Sequence, residues 1–205
     1  MKILAVTDIH GAYGIVSGML RKESPDILII GGDLTTVGSV KEAREAIKTF
    51  RIHSETIYCI SGNMDLPVHD ELYSELGISL NGNGIILNNI GFFGVSASPH
   101  SPLHTPYEIS EEEISRRILL GYEKISVAMV KILVSHTPPF GTKTDIIHSG
   151  IHVGSMAVRE FIEEKQPDIV ICGHIHEARG QDQIEIRKFV ICGPALNVYY
   201  SVITF

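Results

Sequence analysis

The sequence predicts an α/β fold built on a mostly parallel sheet, and three observations carry that expectation. Short apolar runs rich in β-branched residues stop at clusters of glycine and polar residues, as buried strands do. Stretches with the apolar spacing of one helix face lie between those runs. Strands that alternate with helices are joined by crossovers, which set the strands parallel and cover both faces of the sheet.

In chain order, Lys2 to Thr7 is the first strand. Ile27 to Ile30 is the second, following Pro25 and stopping at Gly31-Gly32-Asp33. Val40, Ala43, Ile47 and Phe50 share one helix face, and Thr56 to Ile60 is a third strand stopping at Ser61-Gly62-Asn63. Ile85 to Leu87 and Gly91 to Val95 suggest a hairpin about Asn88-Asn89, and Ser110 to Glu123 a helix opened by a capping box of Ser110 with Glu113. Lys131 to Val134 delivers His136. Ser155 to Lys165 is a helix with Val158, Phe161 and Ile162 inward, ahead of a strand Ile169 to Cys172. Further strands are expected near Ile184 to Ile186, Phe189 to Ile191 and Val198 to Ile203. Pro25-Asp26 and Pro167-Asp168 open similar runs, each with a ligand-capable residue just beyond it.

With 205 residues, 44% hydrophobic and 20% charged, one domain spanning 1–205 is expected. The longest apolar candidate for a membrane span, Ile125 to Val134, is broken by Lys131, and Asp8 and His10 interrupt any leader-like start. A cytoplasmic location follows as the expectation. Cys59, Cys172 and Cys192 lack metal or redox spacing and read as core thiols. The balance of 17 basic against 24 acidic residues, −7 overall, argues against broad nucleic-acid contact and leaves a small nucleotide substrate open.

Five short motifs follow the apolar runs: Asp8 and His10 in DIHG, Asp33 in GGD, Asn63 in GN, His136 in SHTPP, and His174 with His176 in GHIH. Any one of them alone reads as a solvated turn or a core histidine. Five ligand-capable motifs at the carboxyl ends of apolar runs point instead to a metal site, because open α/β sheets bind ligands there.

In this order the motifs resemble the calcineurin-like metallophosphoesterase family, from Asp8 to His176, and the stretch from His136 to Gly180 is similar to a small prokaryotic or archaeal branch of it. The resemblance implies a four-layer α/β/β/α sandwich with two mixed sheets. It also implies a hydrolase with a dinuclear metal centre, in which Asp8, His10, Asp33 and His176 hold one ion while Asp33, Asn63, His136 and His174 hold the other. Asp33 suits the shared role, since a carboxylate has lone pairs for two cations and a neutral imidazole has one. Imidazole, carboxylate and amide oxygen together suit two divalent transition-metal ions, manganese first, with Fe, Zn, Ni or Co as alternatives. The expected reaction is in-line attack of metal-bound hydroxide on a small phosphate ester, with no phosphoenzyme.

The family pattern GNH followed by an acid is here Gly62-Asn63-Met64-Asp65. Met64 cannot donate a proton, which makes activated esters and phosphodiesters the expected substrates. Asp33, Asn63 and Asp65 are the candidate catalytic residues, together with His152 as a surrogate acid from the stretch Pro138 to Gly154. Lys143, His148, His100 and His104 read as solvated side chains, and His53 and His69 as surface residues. A non-catalytic protein-interaction scaffold like the retromer subunit of the same fold is the alternative function. A DNA nuclease ranks next and a redox metal protein last. Homodimer formation is left open.

Overall fold

The computed structural model describes residues 1–184, the backbone of 187–191, and residues 193–205. Its strands and helices run β1 (Lys2–Val6), α1 (Tyr13–Glu23), β2 (Ile27–Gly31), α2 (Val40–Arg51), β3 (Thr56–Ile60) and α3 (Val68–Glu75). They continue as β4 (Gly84–Leu87), β5 (Ile90–Val95), β6 (Ser98–Pro99), β7 (Glu108–Ile109), α4 (Glu111–Lys124), β8 (Val130–Ser135), α5 (Met156–Lys165), β9 (Ile169–Cys172), β10 (Gly180–Ile184), β11 (Arg187–Ile191) and β12 (Ser201–Thr204). One large sheet has the order β12-β1-β2-β3 and a second the order β10-β11-β9-β8-β5-β4, while β6 and β7 pair apart from them as a small two-stranded sheet. Both large sheets are mixed: β12 runs antiparallel to β1, and β4 and β10 run antiparallel to their neighbours, while the central strands are parallel.

Strand alternation sorts the apolar residues into three cores and thereby sets the layers. Ile3, Ala5, Ile27 and Ile29 face Phe92, Ile132, Val134 and Ile171 between the two sheets. The opposite faces of β1 to β3, carrying Leu4, Val6, Leu28 and Ile30, pack on Val16, Leu20, Ile47 and Phe50 of α1 and α2. Phe93, Val95, Leu133 and Val170 do the same with Ile114, Ile118, Val158 and Phe161 of α4 and α5. The result is the four-layer sandwich. Cys59 and Cys172 are buried in it, whereas Cys192 and Ile186 lie outside the described residues.

The Pro-Asp echo proves to be one connection used twice. Ser24 and Gln166 end α1 and α5 in the left-handed conformation, φ 46 and 50, and a proline next prevents any further helix. Asp26 then exchanges two hydrogen bonds with the backbone of Lys2, and Asp168 does likewise with Lys131. Each pair registers a new strand against its parallel neighbour. The hairpin turn has positive φ at both Asn88 (51) and Asn89 (64), as a tight turn between twisted strands needs.

Two expectations change at the tail. β12 starts at Ser201 rather than Val198, after a single 3-10 turn at Ala195–Asn197, and it pairs with β1 at the edge of the first sheet. The physical cause is a long-range contact: Ala195 donates its N–H to the Thr7 and Asp8 carbonyls, which carries the tail across to β1. β10 begins at Gly180, because an edge strand tolerates the polar Gln181, Asp182 and Gln183 that hid it. No helix among the described residues is long and apolar enough to cross a membrane.

Helix starts follow their caps. Ser39, Ser110 and Ser155 accept the N–H of Glu42, Glu113 and Val158. Only half of the Ser110 capping box forms, since the Glu113 carboxylate is taken by Arg116 and Arg117. Ser155 also donates to Glu111, whose carboxylate accepts from Met156 and Ala157, so the first residue of α4 caps α5. Replacing Ser155 by Ala is expected to cost about 1 to 2 kcal/mol in urea unfolding; an unchanged midpoint would contradict this role.

Candidate metal centre

Five loops at the carboxyl ends of β1, β2, β3, β8 and β9 converge. Four of their residues, Asp8 (φ 52), His10 (46), Asp33 (51) and His174 (72), hold the left-handed backbone that non-glycine residues seldom adopt. Backbone hydrogen bonds enforce it. Asp8 donates to Gly32 at 3.1 Å, Ile9 and His10 both donate to the Asp33 carbonyl, and His174 N–H reaches the Asp8 carboxylate at 3.0 Å. The glycines before Asn63 and His174 make room for carboxylates: a Cβ on Gly62 would overlap Asp33, and one on Gly173 would lie 2.5 Å from Asp8 Oδ2. That clearance explains why these motifs read Gly-Asn and Gly-His.

The donor atoms form two histidine pairs with Asp33 between them. Asp33 Oδ2 is 3.5 Å from His10 Nε2 and 3.5 Å from His136 Nε2. Asn63 Oδ1 lies 2.9 Å from His136 Nε2 and 2.8 Å from His174 Nδ1, while Asp8 Oδ1 is 3.4 Å from His176 Nε2. Donors of Asp8, His10 and His176 fall within 4.8 Å of one another, as do those of Asp8, Asp33 and His136, so both groups could hold a cation. Asp8, Asp33, Asn63 and His136 are buried, whereas the His10 and His176 side chains are 22% and 44% exposed, and the cleft opens on their side.

Outer contacts fix the rings. His136 Nδ1 faces the Gly31 carbonyl at 3.0 Å and His10 Nδ1 the Thr36 hydroxyl at 2.9 Å, leaving both Nε2 atoms for the centre. Burial alone would drive the proton off His136, but Asp33, Asp8 and the Gly31 carbonyl outweigh it and hold the pKa of the ring up to about 9. Burial takes His174 the other way, down to about 4, and the charge of His136 adds to it. For Asp8, burial is outweighed by the hydrogen bond to His176 and the charge of His136, and its carboxyl stays well below the usual range. Two buried carboxylates faced by imidazoles and, at Asp8, by the Thr7 hydroxyl form an anionic cavity that calls for cations.

Asp65 is wholly buried and accepts from Leu34, Thr35, Gly62 and the Thr35 hydroxyl, so it clamps the Asp33 loop to the Asn63 loop. His69, read from sequence as a surface residue, is fully buried, with Nδ1 3.5 Å from Asp65 and Nε2 3.1 Å from the Gly38 carbonyl. It sits four residues after Asp65, one helical turn, and that spacing was the available signal. His152 makes no hydrogen bond to the seven donors. Its Nδ1 is 2.7 Å from Asp145, a buried carboxylate that also accepts from Gly141, Thr142 and Gly154. Nothing in the sequence singles out Asp145. His148 N–H reaches Glu177, directly beside His176, so this loop touches the centre's rim.

A profile of the calcineurin-like phosphoesterase family matches residues 1–178. The chain belongs to this family. An uncharacterized protein of Methanocaldococcus jannaschii is 33% identical over 98% of this chain and 90% of its own length. The calcineurin-like fold recurs in TT1561 of Thermus thermophilus, with a TM-score of 0.71 and 14% identity over 99% of this chain and 98% of that one. It recurs also in a Vps29 single mutant from Entamoeba histolytica, with a TM-score of 0.51 and 13% identity over 100% and 86% of the two chains. Family membership supports a metal-dependent phosphoesterase in general and the use of divalent metal ions, for which Asp8, His10 and His176, and Asp8, Asp33 and His136, are candidate groups.

A cation bound through His136 would have to displace the proton that the ring holds up to about 9, which would give its affinity a defined pH dependence. Calorimetric Mn²⁺ affinity should climb about tenfold per pH unit from neutrality towards pH ~9 and then level off. A flat profile would contradict it.

Proposed function

We propose that this chain is a dinuclear-metal phosphodiesterase, with Asp8, His10, Asp33 and His176 holding one ion and Asp33, Asn63, His136 and His174 the other. The observation that carries the reading is Asp33 Oδ2, which stands 3.5 Å from one histidine of each pair. When bound, the cations supply Lewis acidity toward the phosphoryl oxygens and a water acidified enough to act as nucleophile near neutral pH. The residues do the rest. Asp33 is oriented by the Met64 N–H at 2.8 Å on Oδ1, which leaves Oδ2 turned to the centre. Asn63 offers its amide oxygen, and Asp65 is a positioning residue. Attack on phosphorus is direct and in line, with inversion and no phosphoenzyme.

Two features favour diesters. Met64 supplies no proton where the family pattern has histidine, a loss of about 10² to 10⁴ in rate that falls hardest on poor leaving groups. Among the described residues, no Lys or Arg hydrogen-bonds to the seven donors, so a monoester's second negative charge meets no side-chain cation there. His152 is the candidate surrogate acid: Asp145 holds its Nδ1 and thereby sets the ring, leaving Nε2 for proton transfer. The substrate is a small phosphate ester, and manganese is the first metal to test.

The wild-type chain with Mn²⁺ should release nitrophenol from bis(p-nitrophenyl) phosphate, and Asp33→Asn should lower that rate by about 10³-fold or more. Absence of metal-dependent release would favour a non-catalytic scaffold of the same fold. A second measurement addresses His152. His152→Ala should slow a poor-leaving-group alkyl ester at least ~10-fold more than the activated aryl ester, and equal slowing of the two would remove the acid role.

A further inference from the structure

We infer that His69 is a positioning residue of the candidate metal centre: from inside the core it holds the turn at residues 36–38, and through the Thr36 hydroxyl that turn sets the ring of His10. This inference rests on the dinuclear reading above and assigns the residues that support one of its two ions.

The chain beyond Asp33 is anchored in two parts. Leu34 and Thr35 donate their N–H groups to Asp65, and the Leu34 carbonyl accepts from Gly11, which ties this part to the site directly. The next three residues are held differently. Val37 N–H donates to the Met64 carbonyl at 2.8 Å, Gly38 N–H reaches the Thr35 hydroxyl at 3.2 Å, and the Gly38 carbonyl faces His69 Nε2 at 3.1 Å. A carbonyl only accepts, so Nε2 carries a proton and donates it to Gly38. Val37 holds φ 54, a left-handed backbone that suits a β-branched residue poorly, and such strain persists only where the surroundings over-determine it. His69 is the anchor rooted in the core: it is fully buried on α3, with Nδ1 3.5 Å from Asp65 and its ring centre 6.3 Å from that of Tyr73.

What this turn presents to the site is Thr36. Its hydroxyl lies 2.9 Å from His10 Nδ1, the contact that leaves Nε2 free to face Asp33 Oδ2 at 3.5 Å. His10 stands on the open side of the cleft, where packing alone does not fix a ring, so the hydroxyl sets its orientation. His136 is wholly buried and is fixed by the Gly31 carbonyl, which belongs to β2 and does not depend on the turn. The two ions therefore differ in what supports them. Loosening residues 36–38 reaches the ion of Asp8, His10 and His176 and spares that of Asn63, His136 and His174.

Two-site Mn²⁺ calorimetry on the full chain is the test. Thr36→Val removes the hydroxyl at an exposed position and leaves the core alone; it is expected to weaken one ion about 10- to 100-fold and to leave the other within about twofold. His69→Asn keeps a donor towards Asp65 but is too short to reach Gly38, and it should weaken the same ion about 10-fold. His69→Gln carries its amide N–H out to the Nε2 position and should bring the affinity back to within about threefold of the wild type. The double variant Thr36→Val with His69→Asn should bind little worse than either single one, because both break the same line of support. Wild-type affinity in Thr36→Val, equal weakening of both ions, rescue by Asn rather than Gln, or additive losses in the double variant would each overturn the inference. A wild type that takes up a single Mn²⁺, weakened by Thr36→Val and His69→Asn alike, would leave the role of His69 standing and remove the dinuclear reading instead.

Discussion

The confrontation of two buried carboxylates, Asp8 and Asp33, is the constraint on which the rest of the structure depends. Charges this deep are costly without compensation, and the side chains beside them are the imidazoles of His10, His136 and His176 and the Thr7 hydroxyl. The cavity therefore selects for cations. Every neighbouring choice serves its size: glycine at 62 and 173 for clearance, and left-handed backbone at four donors so that short side chains reach inward. Among the donors themselves His136 takes a proton and His174 gives one up, an arrangement in which a proton supplies part of the positive charge that the carboxylates demand.

Around this cavity lies a shell whose work is positional. Asp65 gathers the amides of Leu34, Thr35 and Gly62, and His69 backs it from α3. A half-buried carboxylate, Asp70, accepts from Ser61, Asn81, Ser96 and Tyr107, and Tyr107 N–H reaches the Asn63 carbonyl at 3.0 Å. The Asn63 loop is thus held from both sides by hydrogen bonds to groups that never face the cleft. Such a shell fixes donors to fractions of an ångström, which is what separates a metal centre from a loose cluster of acids and histidines.

Much of this was legible in the sequence, for a physical reason. Each candidate donor follows an apolar run directly, and the backbone forces glycine beside it, so fold and site are written in the same few residues, such as Gly31-Gly32-Asp33 and Gly173-His174. What stayed hidden depends on contacts far along the chain. β10 is polar because it is an edge. β12 joins β1 through Ala195, almost the whole chain away. His69 looks like any polar residue on a short helix until Asp65 is known to be beneath it, and Asp145 becomes recognisable only when its loop closes on His152.

The repeated Pro-Asp connection carries one more consequence. The unit β1-α1-β2 delivers Asp8, His10 and Asp33, and the unit β8-α5-β9, built with the same helix end and the same aspartate clasp, delivers His136, His174 and His176. Carboxylates come chiefly from one half and imidazoles from the other. The centre is then a seam between two similar halves, and its dimensions are set by the apolar layer that holds them apart. Ile3, Ile29, Ile132 and Ile171 supply no donor atom, yet as spacers between the sheets they act as the calipers of the site.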